Sequence, residues 1–393
     1  MNDFEAYFKE TIEELKTKEL FRDQDLIFKR QSNNELINFS SNDYLGLAFN
    51  NPSIDIIISN NKQSAGTGSR LISGTSEAHR ELEETLAKWK GTEAAIVFNN
   101  GYAANIGALS SIVSSKDAVF VDEYAHSCIW DGLKLSSCRK YIFKHNDTQN
   151  LNDLLEKHRS KHQKSLIIAE SVFSMDGDSP ELSKLVQLAE EYNSNIYIDE
   201  AHSTGIEAST GAGFVKRLYE EKKIQDFSRI IQMGTLSKAV AAEGGYICGS
   251  KNLIEFLQNK ARTYIYSTAM SPIIAKLANE NIKMIQNSDH LKKELNFNIG
   301  LFRNFLVENL NNKNNFKNFN GPIFTFFFGD SEKTLKVSNF LIDQGFICTA
   351  IRPPTVKEPR LRICINSKHQ KKDIENLAKQ LCYLLNKEIQ DPS

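Results

Sequence analysis

Apolar residues along the chain fall into two periods. Short, nearly continuous apolar runs occur at AAIVF (94–98), AVFVD (118–122), SLIIAE (165–170), NIYID (195–199), RIIQM (229–233) and GGYICG (244–249). Such runs, bounded by polar and glycine-rich segments, predict strands buried on both faces. Between them, apolar positions recur every three or four residues, as in EAHRELEETLAKWKG (77–91) and SPELSKLVQLAEEYN (179–193), which predicts amphipathic helices. The alternation predicts an α/β domain, a mostly parallel sheet covered by helices on both faces.

The pattern changes near Ser271. A helical period runs from there to about Leu310, and an Asn/Lys-rich stretch, ENLNNKNNFKNFNGP (308–322), then predicts an exposed loop. PIFTFFFG, GFICTAI and RLRICIN follow as strands of a smaller α+β domain. At the other end Phe4, Phe8, Ile12 and Leu15 recur at helical spacing. The expected organisation is an N-terminal helix and arm (1–42), a large α/β domain (43–275) and a small C-terminal domain (276–393).

Bulk properties narrow the function by exclusion. With 40% hydrophobic residues, 25% charged residues and a net charge of -1, the chain has the balance of a soluble globular protein and no global field for nucleic acid or anionic membrane. No apolar run is long enough to span a membrane, and the acidic N-terminus lacks the basic start and apolar middle of a signal peptide. The six cysteines (128, 138, 248, 348, 364, 382) stand singly with no C-x-x-C, which reads as reduced core thiols of a cytoplasmic protein and not as a disulfide framework or metal site.

In an open α/β sheet, ligands sit beyond the carboxyl ends of the strands. The segments there are NNGYAAN, EYAHSC, SVFSMDGD, EAHSTG and GTLSK. Lys238, in GTLSK, follows the apolar Ile230-Ile231 among small residues. A lysine so placed either snorkels to solvent or serves as an amine nucleophile. Asp199 could simply cap the next helix. Asp199, His202 and Lys238 on neighbouring strand ends are also what pyridoxal phosphate (PLP) requires: an amine for its aldehyde, a carboxylate for its ring nitrogen and a hydrogen bond for its ring oxygen. Gly101 and Tyr102, between strand and helix, offer backbone N–H groups to a phosphate, and Thr235 and Ser237 add hydroxyls. His126 could stack on the ring or be a satisfied core histidine. The stretch GTGSRLISGTSEAHRELEE (66–84) is neither a dinucleotide fingerprint nor a Walker loop, and H-E-x-x-H and G-x-S-x-G do not occur.

Seven segments in order, NFSSNDYLGL (38–47), GTGSRLISGTSEAHRELEE, NNGYAAN, ESVFSMDGD (170–178), DEAHSTG (199–205), GTLSKA (234–239) and IYSTAMSP (265–272), resemble those of the α-oxoamine synthases, a branch of the fold type I PLP enzymes. The resemblance implies the aspartate aminotransferase-like fold, a PLP cofactor and acyltransferase activity. By that resemblance Lys238 binds PLP and later removes the amino acid's Cα proton, Asp199 faces the ring nitrogen, and His202 and Ser174 bond the ring oxygen. His126 stacks on the ring. Gly101, Tyr102 and Thr235 hold the phosphate, with Ser267 and Thr268 supplied by the partner subunit of a homodimer. Arg362 clamps the substrate carboxylate with Asn42 nearby, although Arg360 lies on the same strand face and is its rival. Arg22 and Thr355 are candidate substrate contacts. Within the family, AIRPPTV (350–356) followed by RLRICIN resembles the branch that joins L-alanine to pimeloyl-CoA or pimeloyl-acyl carrier protein with loss of CO2. A sibling synthase with another amino acid and acyl group, and a non-catalytic subunit on the same fold, are the other readings; the presence of Lys238 weighs against the second. Two features depart from the family pattern: the short Lys357-Glu358-Pro359 link before Arg360, and Glu243 close to Lys238.

Overall fold

Each of the six apolar runs forms a strand in the computed structural model of the protein, and a seventh strand joins them. The strands are β1 (Ala94–Phe98), β2 (Ala118–Asp122), β3 (Arg139–Phe143), β4 (Ser165–Glu170), β5 (Asn195–Asp199), β6 (Ile230–Thr235) and β7 (Gly245–Gly249). They make one sheet in the order β1-β7-β6-β5-β4-β2-β3, in which β7 alone runs antiparallel to its neighbours. The unexpected strand, β3, is a half-polar edge strand, RKYIF, without the apolar run that marks two-sided burial. The structure describes all residues except 1–2, 19, 34, 50, 52, 61–62, 313–315, 318–320 and 389–393.

Side chains alternate between the faces of a strand, and this decides where the polar strand ends point. Ile168 of β4, Tyr197 of β5 and Met233 of β6 pack with Ala104 and Leu109 of helix α2 (Gly101–Ile112) on one face. Ile167, Ile196 and Ile230 pack with Leu185 and Leu188 of helix α3 (Leu182–Glu191) on the other. Two residues beyond Ile168, Tyr197 and Met233, the α2 face therefore receives Glu170, Asp199 and Thr235. Where β6 and β7 pair, Gly234 lies opposite Tyr246. Its missing side chain leaves room for the Tyr246 hydroxyl, which hydrogen-bonds Thr204 Oγ1 at 2.7 Å; a methyl group at 234 would overlap that hydroxyl.

The chain divides into two compact units. The larger holds Asp43–Ser174 and Asp178–Lys293, and the smaller holds Met1–Asn42, Met175–Gly177 and Glu294–Ser393. Two details differ from the expected organisation. The helical region beyond Ser271 is two helices, α4 (Pro272–Asn287) and α5 (Asp289–Asn309), interrupted at Ser288. α4 starts on a Ser271 cap followed by proline and packs on α1 (Glu77–Lys90), so the larger unit continues to Lys293, past 275. The N-terminal arm is part of the smaller unit, because Ile37–Asn38 pairs in parallel with Phe346–Ile347 and the Phe39 ring lies 3.9 Å from that of His369.

The smaller unit is built on an antiparallel sheet in the order β10-β11-β9-β8, where β8 is Phe316–Lys317, β9 Ile323–Phe326, β10 Thr349–Ile351 and β11 Arg360–Cys364. The stretch 308–322 lies partly outside the described residues; its described part includes β8, held by Phe316 stacking on Phe326 with centroids 5.9 Å apart. All six cysteines are buried and free. Among the described residues no helix is long and apolar enough to cross a membrane, and no cluster of His, Cys, Asp or Glu could hold a metal ion.

Lys90, the last residue of α1, is fully buried and ion-paired with Glu200, just beyond β5, and also donates to the Ala212 carbonyl at 2.5 Å. Glu200 accepts a second bond from the Val215 amide at 2.8 Å. Replacing Lys90 by methionine strands a buried carboxylate, and the expected loss of stability is about 3–5 kcal/mol. Urea unfolding checks this, and Lys90→Met/Glu200→Gln should recover part of the loss; an unchanged midpoint in Lys90→Met would show that the pair contributes nothing.

Candidate active site

The carboxyl ends of β4, β5 and β6 carry Ser174, Asp199, His202, Thr235 and Lys238. Lys238 Nζ lies 2.7 Å from His202 Nε2, and His202 Nδ1 is 2.7 Å from the hydroxyl of Tyr44. Tyr44, in NFSSNDYLGL, is fully buried and was not singled out in the sequence; a tyrosine in an apolar context gives no sign of its partner. Asp199 is buried beneath α2. Its Oδ1 accepts from the Ala201 amide at 2.9 Å and its Oδ2 from Asn105 Nδ2 at 2.8 Å. The Tyr197 hydroxyl donates to Asn105 Oδ1 at 2.7 Å. Asn105 and Tyr197 also went unnoticed, although Asn105 lies one helical turn beyond Gly101 and Tyr197 two strand positions before Asp199.

Burial sets the charge state of the groups around Asp199. Glu170, whose Oε1 accepts from the His126 amide at 2.7 Å, is held well above the usual carboxylate range by burial and by the charge of Asp199. The Cys128 thiol, 2.9 Å from His126 Nδ1, is pushed up to about 12, again chiefly by burial. His126 is lowered by burial, assisted by the Lys238 ammonium and against the pull of Asp199, so it is neutral at pH 7. A neutral imidazole beside Asp199 can lie flat against an aromatic ring.

The start of α2 carries the phosphate candidates. Asn100 caps the helix through the Ala103 amide at 2.8 Å, and the first N–H groups, those of Gly101 and Tyr102, have no intrahelical acceptor. A Cβ added to Gly101 would sit 3.2 Å from Met233 Cε and 3.4 Å from Thr235 Cβ, so a side chain there would fill the space beside Thr235. The Tyr102 side chain is exposed, and its hydroxyl donates to Asp131 Oδ2 at 2.7 Å. Thr235 Oγ1 lies 2.8 Å from Ser237 Oγ. Thr268 is tied to the same loop by its carbonyl, which accepts from Asn99 Nδ2 at 2.8 Å, and Ser267 precedes it. Ser174 is half-buried in the loop after β4. An amine, a buried carboxylate, a neutral imidazole and a helix start with adjacent hydroxyls are the donor set that PLP requires, and the residues fit it. Glu243, whose place was unaccounted for, is exposed.

In the smaller unit the substrate candidates meet in pairs. Arg362 Nη2 donates to Asn42 Oδ1 at 3.0 Å and Nη1 to Cys364 Sγ at 2.9 Å. Its rival Arg360 is ion-paired with Asp176 at 2.5 Å, so its guanidinium is already engaged. Arg22 Nη2 donates to Thr355 Oγ1 at 3.0 Å, which joins the two other substrate candidates.

The class I and II aminotransferase family matches residues 34–381, and the chain belongs to it. Within that family it is an α-oxoamine synthase, a PLP-dependent acyltransferase of fold type I. It is 42% identical over 355 residues to a protein of Trichodesmium erythraeum, covering 89% of each chain, and 37% identical over 391 residues to one of Methanococcus vannielii, covering 96% of this chain and 98% of the other. Both relatives are provisionally named 8-amino-7-oxononanoate synthase. Among solved structures it superposes on serine palmitoyltransferase from S. paucimobilis with a bound PLP–myriocin aldimine at TM-score 0.81 and 25% identity, covering 88% of this chain and 87% of the other. It superposes on 8-amino-7-oxononanoate synthase from Francisella tularensis at TM-score 0.75 and 26% identity, covering 90% and 99%.

The loop that carries Ser174 is pinned by His145. Its Nδ1 lies 2.9 Å from Asp122 Oδ1 and its Nε2 2.8 Å from Asp178 Oδ2, and its ring stacks on Tyr124 with centroids 4.3 Å apart. Burial alone would lower the imidazole, but hydrogen bonds to Asp122 and Asp178 outweigh it and raise the group to about 10. The folded value exceeds the unfolded one of about 6.5, so the stabilisation is complete below about pH 6.5 and fades as pH rises towards 10. The urea midpoint of His145→Asn should therefore lie below wild type at pH 6 by a margin that shrinks at pH 10. A margin independent of pH would contradict the charged clip.

Proposed function

We propose that the protein condenses L-alanine with pimeloyl-CoA, or pimeloyl on an acyl carrier protein, to give 8-amino-7-oxononanoate, CO2 and the free thiol carrier, a cytoplasmic step of biotin synthesis. The observation that carries the chemistry is Lys238 Nζ at 2.7 Å from His202 Nε2, beside the buried Asp199 on the neighbouring strand end. The names of the relatives and the AIRPPTV segment support the choice of substrates.

When bound, PLP supplies the electron sink for the substrate's carbanion. The remaining roles belong to this chain. Lys238 would hold the cofactor's aldehyde, and its amine, when free, would take the substrate's Cα proton. The imidazole of His202, fixed by Tyr44, orients that amine and the ring oxygen, which Ser174 also bonds. Asp199 would face the ring nitrogen and hold its proton, and His126 would stack on the ring. Gly101, Tyr102 and Thr235 grip the phosphate. Ser267 and Thr268 complete the phosphate site of the partner subunit, which makes the working unit a two-fold homodimer. Arg362, steadied by Asn42, grips the amino acid's carboxylate through paired N–H donors, and Arg22 with Thr355 contacts the acyl substrate.

The superposition on serine palmitoyltransferase, at TM-score 0.81 against 0.75, favours a second reading: a sibling synthase with another amino acid and acyl-CoA. Thiol release from pimeloyl-CoA by the PLP-loaded protein, with L-alanine, glycine and L-serine in parallel, separates the two. Release with L-alanine alone is expected, and release only with glycine or L-serine would overturn the assignment. Lys238→Ala should abolish both the borohydride-fixed cofactor and turnover; retained turnover would remove Lys238 from the chemistry. Arg362→Lys, which loses a charge-assisted bond, should raise the KM for alanine roughly 10- to 100-fold, and an unchanged KM would exclude the clamp.

A further inference from the structure

The hydrogen bonds behind Asp199 run in one direction. We propose that Asn105 and Tyr197 are positioning residues that hold the Asp199 carboxylate in a single orientation, so that it keeps the proton on the cofactor's ring nitrogen. This rests on the reading of Asp199 as the ring-nitrogen partner.

An amide side chain can present either its oxygen or its nitrogen to a neighbour. An ionised carboxylate only accepts, so the nitrogen of Asn105 must face Asp199 Oδ2, at 2.8 Å. The amide oxygen then faces Tyr197, whose hydroxyl is 2.7 Å away and donates. Tyr197 has a phenol raised well above its ordinary value by burial, so it remains a donor at any working pH. Asn105 Nδ2 also approaches Cys128 Sγ at 3.1 Å. The Ala201 amide, at 2.9 Å, fixes the other carboxylate oxygen. A hydroxyl can donate or accept, but with the Asn105 nitrogen committed to Asp199 Oδ2 the Tyr197 hydroxyl is left to donate to the amide oxygen. The line Tyr197–Asn105–Asp199 therefore fixes the orientation of the carboxylate. Its titratable surroundings are Glu170, Cys128 and Tyr197, all raised by burial, His126, which is lowered, and the Lys238–His202 pair.

Asn105 and Tyr197 are fully buried, and the helix that carries Asn105 begins at Gly101. One rigid helix thus sets both the phosphate end of the cofactor site and the orientation of the carboxylate.

The test uses Tyr197→Phe and Asn105→Ala, loaded with PLP labelled with 15N in the ring. Cofactor loading is read by absorbance, folding by urea midpoint and ring-nitrogen protonation by the 15N shift across pH. In both variants the cofactor should still load. The ring-nitrogen proton should be lost about one pH unit lower than in wild type, the change expected for one charge-assisted hydrogen bond. kcat should fall roughly tenfold with the alanine KM little changed. A ring-nitrogen titration that coincides with wild type in both variants would overturn the proposal and leave the two residues as packing. Tyr197→Phe removes one oxygen atom, and it carries the test if Asn105→Ala does not fold. Asp199→Asn separates the two levels: if it leaves the 15N titration unchanged, the underlying assignment of Asp199 fails; if it removes the proton, any failure belongs to Asn105 and Tyr197.

Discussion

A carboxylate enclosed between a helix and a sheet loses most of its hydration, and at Asp199 that loss is offset by donors. An ionised carboxylate buried without partners costs far more than a domain can spare. Each charge-assisted hydrogen bond contributes about 1.5–3 kcal/mol against that cost. The donors come from α2 and from the turn after β5, so the geometry of the site depends on how α2 seats on the sheet. That seating is decided by the apolar residues before the strand ends: Ile168, Tyr197 and Met233 pack against α2, and the period of two delivers Glu170, Asp199 and Thr235 to the same face.

Adjacent residues of the chain meet the same difficulty in opposite ways. Asp199 is stabilised by oriented dipoles, and its acidic neighbour Glu170 is held well above the usual carboxylate range by burial. Glu200 is stabilised by a full opposite charge on Lys90, with both side chains entirely out of water. The first arrangement leaves the negative charge available to a ligand, whereas the second consumes it in anchoring α1 to the DEAHSTG turn. A buried ion pair adds little net stability over an apolar substitute of the same shape, but it fixes register, and this turn carries both Asp199 and His202.

The sheet and the residues at its strand ends were legible in the sequence because both follow from local pattern. Two-sided burial writes itself as an apolar run, and chemistry-bearing residues stand where each run stops. What was not legible depends on partners remote in sequence. Arg360 and Arg362 share a strand face and look alike until Asp176, 184 residues from Arg360, is found to engage it. Asn105 is flanked by apolar residues in its helix, and its significance appears only with Tyr197, 92 residues away, and Asp199, 94 residues away. Edge strand β3 lacks the apolar run because one side of it needs no burial. The break at Ser288 carries neither glycine nor proline to announce it. The arm before Asn42 showed its amphipathic helix but not its pairing with Phe346–Ile347.

The contact between Gly234 and Tyr246 bears on how this site can change over generations. Gly234 opens the GTLSK segment, and its small size invites the explanation that a bound ligand needs the space. Here the space is taken by the phenol of the neighbouring antiparallel strand. Positions 234 and 246 are thus a linked pair: a lineage can gain a side chain at the first only after shrinking the second, and the Thr204 bond disappears with that ring. Drift in a residue of the signature segment is therefore gated by a core tyrosine that touches none of the chemistry.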